Sequence, residues 1–343
     1  MPKRGSRAGK RGEGGLIQIG QLDLLKKYVE QQAVAPTKAQ SKLVDAAVEI
    51  RQDAPDAEDL AYMARELVQC TLPHSDPGQV PFWTRTNGNV TLSIISDYDP
   101  LTKKLIGYPY GSIPRLLLFW MTTEALRTGI RRLELGSSYG GFLREIGLDP
   151  NTGGGKRGDA FRVRNQTRRL ITARISFIQR EDLAQISGEA RLHMNVASKT
   201  MLWWDPKRPD QMNLWDSWLE LGEEFFRAIT AAPVPVDLRA LRALKRSPLA
   251  LDLYTWATHK ALSVARKGKP QYVPWKSLSV QFGADYSSHL DFKKKAKEAF
   301  RKILTVYPGL HLNDATGGVL VLPTSRPAVV PRPARRTLPL AQE

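Results

Sequence analysis

The sequence predicts an α+β protein made of two domains that repeat one order of elements. The chain has 343 residues, 42% of them hydrophobic, and this length favours two ordinary cores over one large core. A series of helical and extended segments in the first half returns in the same order in the second half. The proline-rich stretch PVPVDL, at 233–238, separates the two series and is expected to mark the domain boundary.

The first 79 residues predict a basic arm followed by a helical lead-in. Residues 1–35 begin with MPKRGSRAGKRGEGG, which is basic and has no apolar segment of the kind found in a secretory signal, so we interpret them as a disordered arm. Within 36–79, SKLVDAAVEIRQ and DAEDLAYMARELVQCTL have helical spacing. The second of these has Asp56 or Asp59 as a cap and ends before Pro73.

A strand-rich platform opens the first domain, which we predict over 80–232. FWTRTNGNVTLSIISD alternates around Asn87-Gly88, a pair typical of tight β-hairpins, and LIGYPYG is a further extended piece. The first long helix is PRLLLFWMTTEALRTG, with Pro114 in its first turn and Gly129 at its end.

The segments after this helix have the order of a winged helix. RRLELG is predicted as a short strand and SYGGFLREIGL as a short helix, followed by a glycine loop and an arginine-rich helix. ARISFIQR and EARLHMNV are predicted as the two strands of a final hairpin, the wing. This order is that of the helix-turn-helix variant with a C-terminal hairpin.

The same order returns in the second domain, which we predict over 233–324. PLALDLYTWATHKALSVAR is a long helix, YVPWKSLSVQFG contains a short helix, SSHLDFKKKAKEAFRKILTVY is a basic helix, and LHLNDATGGVLVLP is a hairpin with a glycine turn. The Pro/Arg-rich tail, 325–343, is expected to be disordered. The fold expected is therefore two tandem winged-helix domains behind a helical lead-in and a disordered basic arm.

The charge of the chain predicts a phosphate-rich partner. Its 51 Lys and Arg outnumber its 34 Asp and Glu, for a formal net charge of +17. No apolar run approaches the ~18 to 20 residues that a transmembrane helix requires. The single cysteine, Cys70, excludes an internal disulfide and cysteine-based zinc fingers, and it fits a reducing compartment.

The segment NTGGGKRG, at 151–158, suggests phosphate binding but not a nucleotide site. A P-loop is excluded because Pro150 stands where its first glycine should be and Arg157 follows Lys156 in place of Ser or Thr. A dinucleotide fingerprint is excluded because turn residues, GLDPNT, precede the glycines. Two interpretations stay open: the loop holds a DNA phosphate at the start of a helix, or it is simply a tight turn.

The two basic helices are the candidate DNA-binding elements. On the first, Ala160, Val163, Thr167, Leu170 and Ile171 share an apolar face opposite Arg162, Asn165 and Arg169. On the second, Lys294, Lys297 and Arg301 form the corresponding stripe, and Ser288 with Asp291 has the spacing of a capping box. Such stripes are also ordinary solvated faces, but these have few compensating acids.

We expect more base contacts from the first helix and more phosphate contacts from the second. Arginine pairs with guanine and asparagine with adenine in the major groove, whereas lysine suits phosphate. The complete set of predicted DNA-binding residues is Lys156, Arg157, Arg162, Arg164, Asn165, Arg168, Arg169, Lys276, Ser287, Lys293, Lys294, Lys297 and Arg301.

The sequence offers no pattern for catalysis. The five histidines, at 74, 193, 259, 289 and 311, have no metal-ligand spacing, so we expect no metal, no cofactor and no enzymatic activity. Tryptophans 203, 204, 215 and 218 either stack on bases or, as we favour, anchor the domain junction.

Five segments in order resemble the bacterial plasmid replication initiators of the RepA family. They are SIPRLLLFWMTTEALRTG, LELGSSYGGFLREIGLDPNTGGGKRG, RNQTRRL, PVPVDLRALRALKRSPLALDLYTW and VPWKSLSVQFGADY. The resemblance extends from Phe82 to Pro323. THKAL, at 258–262, departs from the expected aromatic and arginine-bearing continuation of its helix.

The resemblance implies a function on double-stranded plasmid DNA in the bacterial cytoplasm. It implies that both winged-helix domains bind directly repeated origin sites (iterons), promote opening of the AT-rich DNA and recruit host replication proteins, including the replicative helicase. It also implies copy control, in which dimers formed through the first domain repress their own gene, and no nucleotide hydrolysis. The alternatives are a winged-helix transcriptional regulator without initiator activity and a DNA-processing enzyme.

Overall fold

The computed structural model of the protein describes residues 37–152, 158–183, 186–202, 217–283, 286 and 288–329. The predictions for the basic arm, for Lys156, Arg157 and Ser287, for the tryptophans at 203, 204 and 215 and for the tail beyond 329 lie outside these residues. The chain forms two compact units, Met1–Lys42 and Leu43–Glu343.

The N-terminal unit is described from residue 37, and helix α1 (Lys38–Gln52) begins in this unit and ends in the larger one. The Thr37 N–H donates to Gln40 Oε1 at 2.8 Å, and the Gln40 N–H donates to Thr37 Oγ1 at 3.3 Å. This reciprocal capping box satisfies two amide groups that a helix start leaves without intrahelical partners. The helix predicted for SKLVDAAVEIRQ is confirmed.

The larger unit mixes helices with several small sheets. Its first part contains β1 (Leu60–Ala64), α2 (Arg65–Gln69), β2 (Trp83–Asn87), β3 (Val90–Ile95), β4 (Tyr98–Asp99) and β5 (Lys104–Leu105). Its central part contains α3 (Ser112–Thr128), β6 (Arg132–Glu134), α4 (Tyr139–Glu145), α5 (Asp159–Thr172), β7 (Arg174–Leu183), β8 (Ile186–Asn195), β9 (Ala197–Met201) and β10 (Trp218–Leu221). Its last part contains α6 (Glu223–Ala231), β11 (Pro233–Asp237), α7 (Leu238–Leu244), α8 (Pro248–Lys267), β12 (Gln271–Pro274), α9 (Trp275–Phe282), α10 (His289–Val306), β13 (Leu312–Ala315) and β14 (Gly318–Val321).

One order of elements occurs twice in this unit. The first repeat consists of α3, β6, α4, α5, β9 and β10, and the second repeat consists of α8, β12, α9, α10, β13 and β14. Each repeat has a three-stranded sheet, in the order β6-β10-β9 or β12-β14-β13, with the last strand in the centre. The first repeat differs by the insertion of β7 and β8 after its basic helix.

The hairpin predicted as the wing of the first domain is this insertion, so that prediction is wrong. β7 pairs with β3, in a four-stranded sheet of order β2-β3-β7-β8, and β6 pairs instead with β10. The reason is the apolar side of β7, where Ile175 lies opposite Ile94 and Phe177 opposite Leu92, all four buried. The asparagine-glycine hairpin thus supplies the surface on which β7 buries its apolar residues.

The helix predicted for DAEDLAYMARELVQCTL is also largely wrong, because its first half is strand β1. β1 pairs antiparallel with β11, which is formed by the residues that we predicted as a proline-rich boundary. Ala61 lies opposite Val236 and Met63 opposite Val234, and all four are buried. Asp56 caps a turn before this strand, since its Oδ1 accepts from the Glu58 N–H at 2.8 Å.

Several local signals are confirmed. Gly88 has a φ of +61° in the turn between β2 and β3, a conformation that glycine adopts without strain. α3 ends at Gly129, whose φ is +70° and whose N–H donates to the Ala125 carbonyl at 3.0 Å. Ser288 caps the start of α10, because its hydroxyl accepts from the Asp291 N–H at 3.0 Å. Short-range chemistry therefore places these element ends correctly.

A buried ion pair joins α3 of the first repeat to α8 of the second. Arg115 Nε donates to Asp252 Oδ1 at 2.7 Å, and Arg115 Nη2 donates to Asp252 Oδ2 at 2.8 Å. His74 Nε2 lies 2.8 Å from the same Oδ2. Burial alone would raise the pKa of Asp252, but the charge of Arg115 and the hydrogen bonds from His74 and Arg115 hold it well below its usual range.

The two long helices supply the middle of the core. The apolar run LLLFWM, at 116–121 on α3, is buried throughout. α8 buries Trp256, which packs edge-on against Phe282 of α9 and Phe300 of α10. Within the described ranges, no helix has both the length and the apolar composition needed to cross a bilayer.

Candidate nucleic-acid interface

Two hydrogen bonds from other elements hold the basic helix α5. Tyr139 of α4 donates its hydroxyl to the Ala160 carbonyl at 2.6 Å, and burial raises the pKa of this hydroxyl, so it remains a donor. Gln166 faces the core, where its Oε1 accepts from the Tyr110 N–H at 2.9 Å. The buried face of the helix consists of Ala160, Val163, Gln166, Thr167 and Leu170. This face agrees with the prediction apart from Gln166, which was missed, and Ile171, which is half-buried.

The opposite side of α5 carries a row of four exposed side chains, which we call the α5 row: Phe161, Arg164, Asn165 and Arg168. Their spacing is i, i+3, i+4 and i+7, so they follow one side of the helix. Among the described residues, the side chains of Arg164 and Asn165 have no hydrogen-bond or ion-pair partner. The row includes Asn165, as predicted. Its two arginines are Arg164 and Arg168, whereas the predicted stripe had Arg162 and Arg169 beside Asn165.

Arg169 is directed into the protein and is not part of the exposed row, contrary to the prediction. Its Nη1 donates to Asp76 Oδ2 and to the Tyr108 carbonyl, both at 3.1 Å, and its guanidinium lies 5.2 Å from the ring centre of Tyr110. Gly107 makes room for it, because a Cβ at that position would lie 2.9 Å from the Arg169 Cζ. The side chain is only 17% exposed.

Acidic residues orient two other arginines of α5. Arg168 Nη2 donates to Asp99 Oδ2 at 2.7 Å, and this hydrogen bond is the main reason that the pKa of Asp99 falls to about 2. Arg162 Nη1 donates to Asp159 Oδ1 at 3.3 Å. The sequence suggested few compensating acids because Asp99 and Asp76 lie far from α5 along the chain. The interface has fewer unpaired cations than the composition indicates.

A groove of about 500 Å³ lies beside the α5 row. Its lining combines the polar side chains of Arg164, Asn165 and Arg168 with the apolar side chains of Phe161, Ile171 and Leu202. Such a surface presents guanidinium and amide donors next to hydrocarbon, the two kinds of contact that distinguish base edges in the major groove.

The second basic helix, α10, has a mostly lysine surface. Lys294 and Arg301 are exposed as predicted, and Lys293 is half-buried. Lys297 is tied to the hairpin that follows, because its Nζ donates to Asp314 Oδ2 and lies 5.8 Å from the ring centre of Trp275. Exposed Lys276 belongs to α9, which precedes α10.

Some exposed cations of the structure were not among the predicted residues. Lys302 on α10 is exposed but falls outside the spacing used for the prediction. Arg180 on β7 and Arg191 on β8 are exposed and share Glu189, whose pKa is lowered chiefly by the hydrogen bond from Arg191. Because side chains alternate between the two faces of a strand, the sequence could have placed these arginines on one face. Which face is exposed could be decided only once the correct sheet was known.

The described histidines, cysteine and acidic residues do not form a metal-binding group. Among them, no three His, Cys, Asp or Glu side chains lie close enough to hold a metal ion. His193 Nδ1 is hydrogen-bonded to Ser176 at 2.7 Å and His311 Nδ1 to Thr324 at 2.8 Å. Burial raises the pKa of the Cys70 thiol to about 11, so this thiol stays protonated near neutral pH and packs in the core.

The central part of the chain matches a known family. Residues 108–276, from just before α3 to the start of α9, match the family model described as plasmid encoded RepA protein. Among curated proteins, none matches the sequence. Two solved structures of domains 2 and 3 of RctB, one of them a selenomethionine derivative, are similar to this chain at 10% sequence identity. The alignments cover 75% and 74% of this chain and 94% of each RctB chain, and the TM-scores are 0.43 and 0.44. The resemblance of the five segments is thus confirmed: residues 108–276 match the RepA family of plasmid replication initiators.

Proposed function

We propose that this protein initiates plasmid replication by binding directly repeated origin sites, the iterons, through two winged-helix domains. The observation that carries this proposal is the equivalent place of the two basic helices. α5 and α10 each follow a short helix and precede the outer strands of a three-stranded sheet. In a helix-turn-helix protein, the helix in this place lies in the major groove. The hairpins β9–β10 and β13–β14 take the position of the wings.

The side chains of the two helices support different contacts. Arg164 and Arg168 with Asn165 suit guanine and adenine edges, so the first domain would supply most of the sequence discrimination. Lys294 and its neighbours on α10 suit phosphate, so the second domain would add affinity that depends little on sequence. The formal net charge of +17 favours both kinds of contact.

The resemblance to plasmid replication initiators supports three further parts of the proposal. Binding to the repeats would promote opening of the adjacent AT-rich DNA and bring in host initiator proteins and the replicative helicase. Dimers formed through the first domain would repress the gene and so control copy number. The protein would act on plasmid DNA in the bacterial cytoplasm, without a cofactor and without catalysing a reaction itself.

Fluorescence anisotropy with the full chain tests the DNA-binding part. We expect the protein to bind its own origin repeat at least ~10³ times more tightly than a scrambled duplex of equal length. The measurement is repeated across salt concentrations. For both duplexes, the plot of log Kobs against the logarithm of the salt concentration should have a slope of about −0.9 for each phosphate contacted. Equal affinity for the two duplexes would contradict site-specific binding.

A genetic measurement separates an initiator from a regulator with the same fold. A plasmid whose copy of the gene is deleted should be lost from growing cells unless the protein is supplied from a second replicon. Stable maintenance without the protein would contradict the initiator proposal and favour a transcriptional regulator. A nicking assay on supercoiled plasmid with magnesium tests the remaining possibility, a DNA-processing enzyme.

A further inference from the structure

The two basic helices share an apolar feature that their charge does not explain. Each has a large apolar side chain exposed in its first turn: Phe161 on α5 is 37% exposed and Leu290 on α10 is 74% exposed. The helices begin at Asp159 and His289, so both side chains lie at the N-terminal end. Single exposed apolar residues are common on protein surfaces. The informative point is that two equivalent helices each have one in the first turn.

Both side chains lie on the same side of their helix as the DNA-binding residues. Phe161 precedes Arg164 and Asn165 by three and four residues, spacings that place them side by side on a helix. Leu290 precedes Lys294 by four residues in the same way. If α5 and α10 lie in the major groove, as in the proposed function, both apolar side chains face the DNA.

The N-terminal residues of a recognition helix are those that contact base edges. Thymine is the base whose major-groove edge carries a methyl group, and phenylalanine is among the side chains that contact this methyl. We propose that Phe161 and Leu290 each contact the methyl group of one thymine, so that each domain has a modest preference for thymine at a set position of the repeat. This inference rests on the proposed function, because it needs α5 and α10 in the major groove.

The polar neighbours fit this assignment in the first domain. A methyl group against Phe161 leaves Arg164 and Asn165, one helical turn further along, to pair with the next base edges. Phe161 also lines the groove with Leu202. A purely structural role beside Leu202 would affect folding and would not distinguish thymine from a base without its methyl group.

Deoxyuridine is the probe that isolates the methyl group, because it keeps the pairing and the carbonyl of thymine. Each thymine of the origin repeat is replaced in turn by deoxyuridine, and binding of the full chain is measured by anisotropy. We expect about a fourfold loss at the two contacted thymines, the effect of no longer burying one methyl group. Phe161→Ala should bind the repeat more weakly and should no longer lose affinity when one of these thymines is replaced by deoxyuridine. Leu290→Ala should behave in the same way at the other thymine.

Ile130→Ala serves as the matched control, since Ile130 is 59% exposed and lies between α3 and β6, outside the basic helices. It should keep every deoxyuridine penalty, and thermal melting of all three variants reports whether they fold. Penalties that are the same in the wild-type protein and both variants, with the repeat still preferred over a scrambled duplex, would overturn this inference and leave the proposed function standing. Loss of that preference in the wild-type protein would overturn both.

Discussion

Replacing Asp252 by asparagine should lower the free energy of unfolding by about 3–5 kcal/mol, because it leaves the Arg115 guanidinium buried without a counter-charge. The two side chains are only 7% and 2% exposed, so water cannot take over the lost interaction. The rest of the guanidinium is occupied by the carbonyls of Leu72, Pro73 and Gly111, at 2.7, 3.0 and 2.7 Å. These carbonyls hold Arg115 in place and supply no negative charge.

Asparagine has the same shape as aspartate, but neither orientation of its amide fits the site. Oδ1 of Asp252 accepts from Arg115 Nε, and Oδ2 accepts from Arg115 Nη2 and faces His74 Nε2. The amide NH₂ would therefore face a donor group whichever way it turned. The cost is thus a lost charge pair together with an unsatisfied hydrogen bond, and a protein stable by ~5–15 kcal/mol would lose much of its margin.

Urea unfolding followed by circular dichroism measures this loss, with Arg227→Ala as the control. Arg227 pairs with Glu223 and Glu224 on α6, but it is 64% exposed, and such surface pairs contribute only ~0–1 kcal/mol. Asp252→Asn should shift the unfolding midpoint far more than the control. Equal shifts in the two variants would refute the idea that the buried pair holds α3 to α8.

Three further predictions concern pH, packing and DNA contact. Burial lowers the pKa of His74 below the ordinary 6.5, so on acidification the unfolded chain binds the proton before the folded protein does. The free energy of unfolding should therefore fall as the pH drops below 6.5. In urea titrations at several pH values, His74→Gln should show a flatter pH dependence than the wild-type protein. Gly107→Ala should cost about 1–3 kcal/mol in the same titration, because φ is +98° there and the new Cβ would collide with Arg169; an unchanged midpoint would show that Arg169 can move aside. In anisotropy assays, Arg164→Ala should cost about 1–3 kcal/mol on the origin repeat and relax specificity, whereas Lys294→Ala should weaken binding to all duplexes alike; a uniform loss in both variants would contradict the division of labour between the helices.

The parts of the fold that were predictable depend on neighbours in sequence. The hairpin at Asn87-Gly88, the end of α3 at Gly129 and the cap of α10 at Ser288 follow from the backbone needs of turns and helix ends. Both basic helices, and most of the buried face of α5, followed from periodicity, because an apolar face recurs with the helical repeat.

The failures have a common cause in long-range pairing. The segment that became β1 has apolar residues that fit a helix or a strand, and only β11 decides between them. β7 and β8 were predicted correctly as strands, but β3, the second partner of β7, lies far back in the sequence. The orientation of Arg169 likewise depends on Gly107 and Asp76, which no local pattern connects to α5.

The pairing of β1 with β11 has a consequence for the order of events during synthesis. On a ribosome that adds ~5–20 residues per second, β1 emerges on the order of 10 to 35 s before the last residue of its partner strand. During that interval the apolar groups of Ala61 and Met63, which lie opposite β11 in the folded protein, are open to chaperones. A chain that stops before residue 233 leaves β1 permanently without its partner strand, so premature termination would produce a fragment suited to degradation and not to DNA binding.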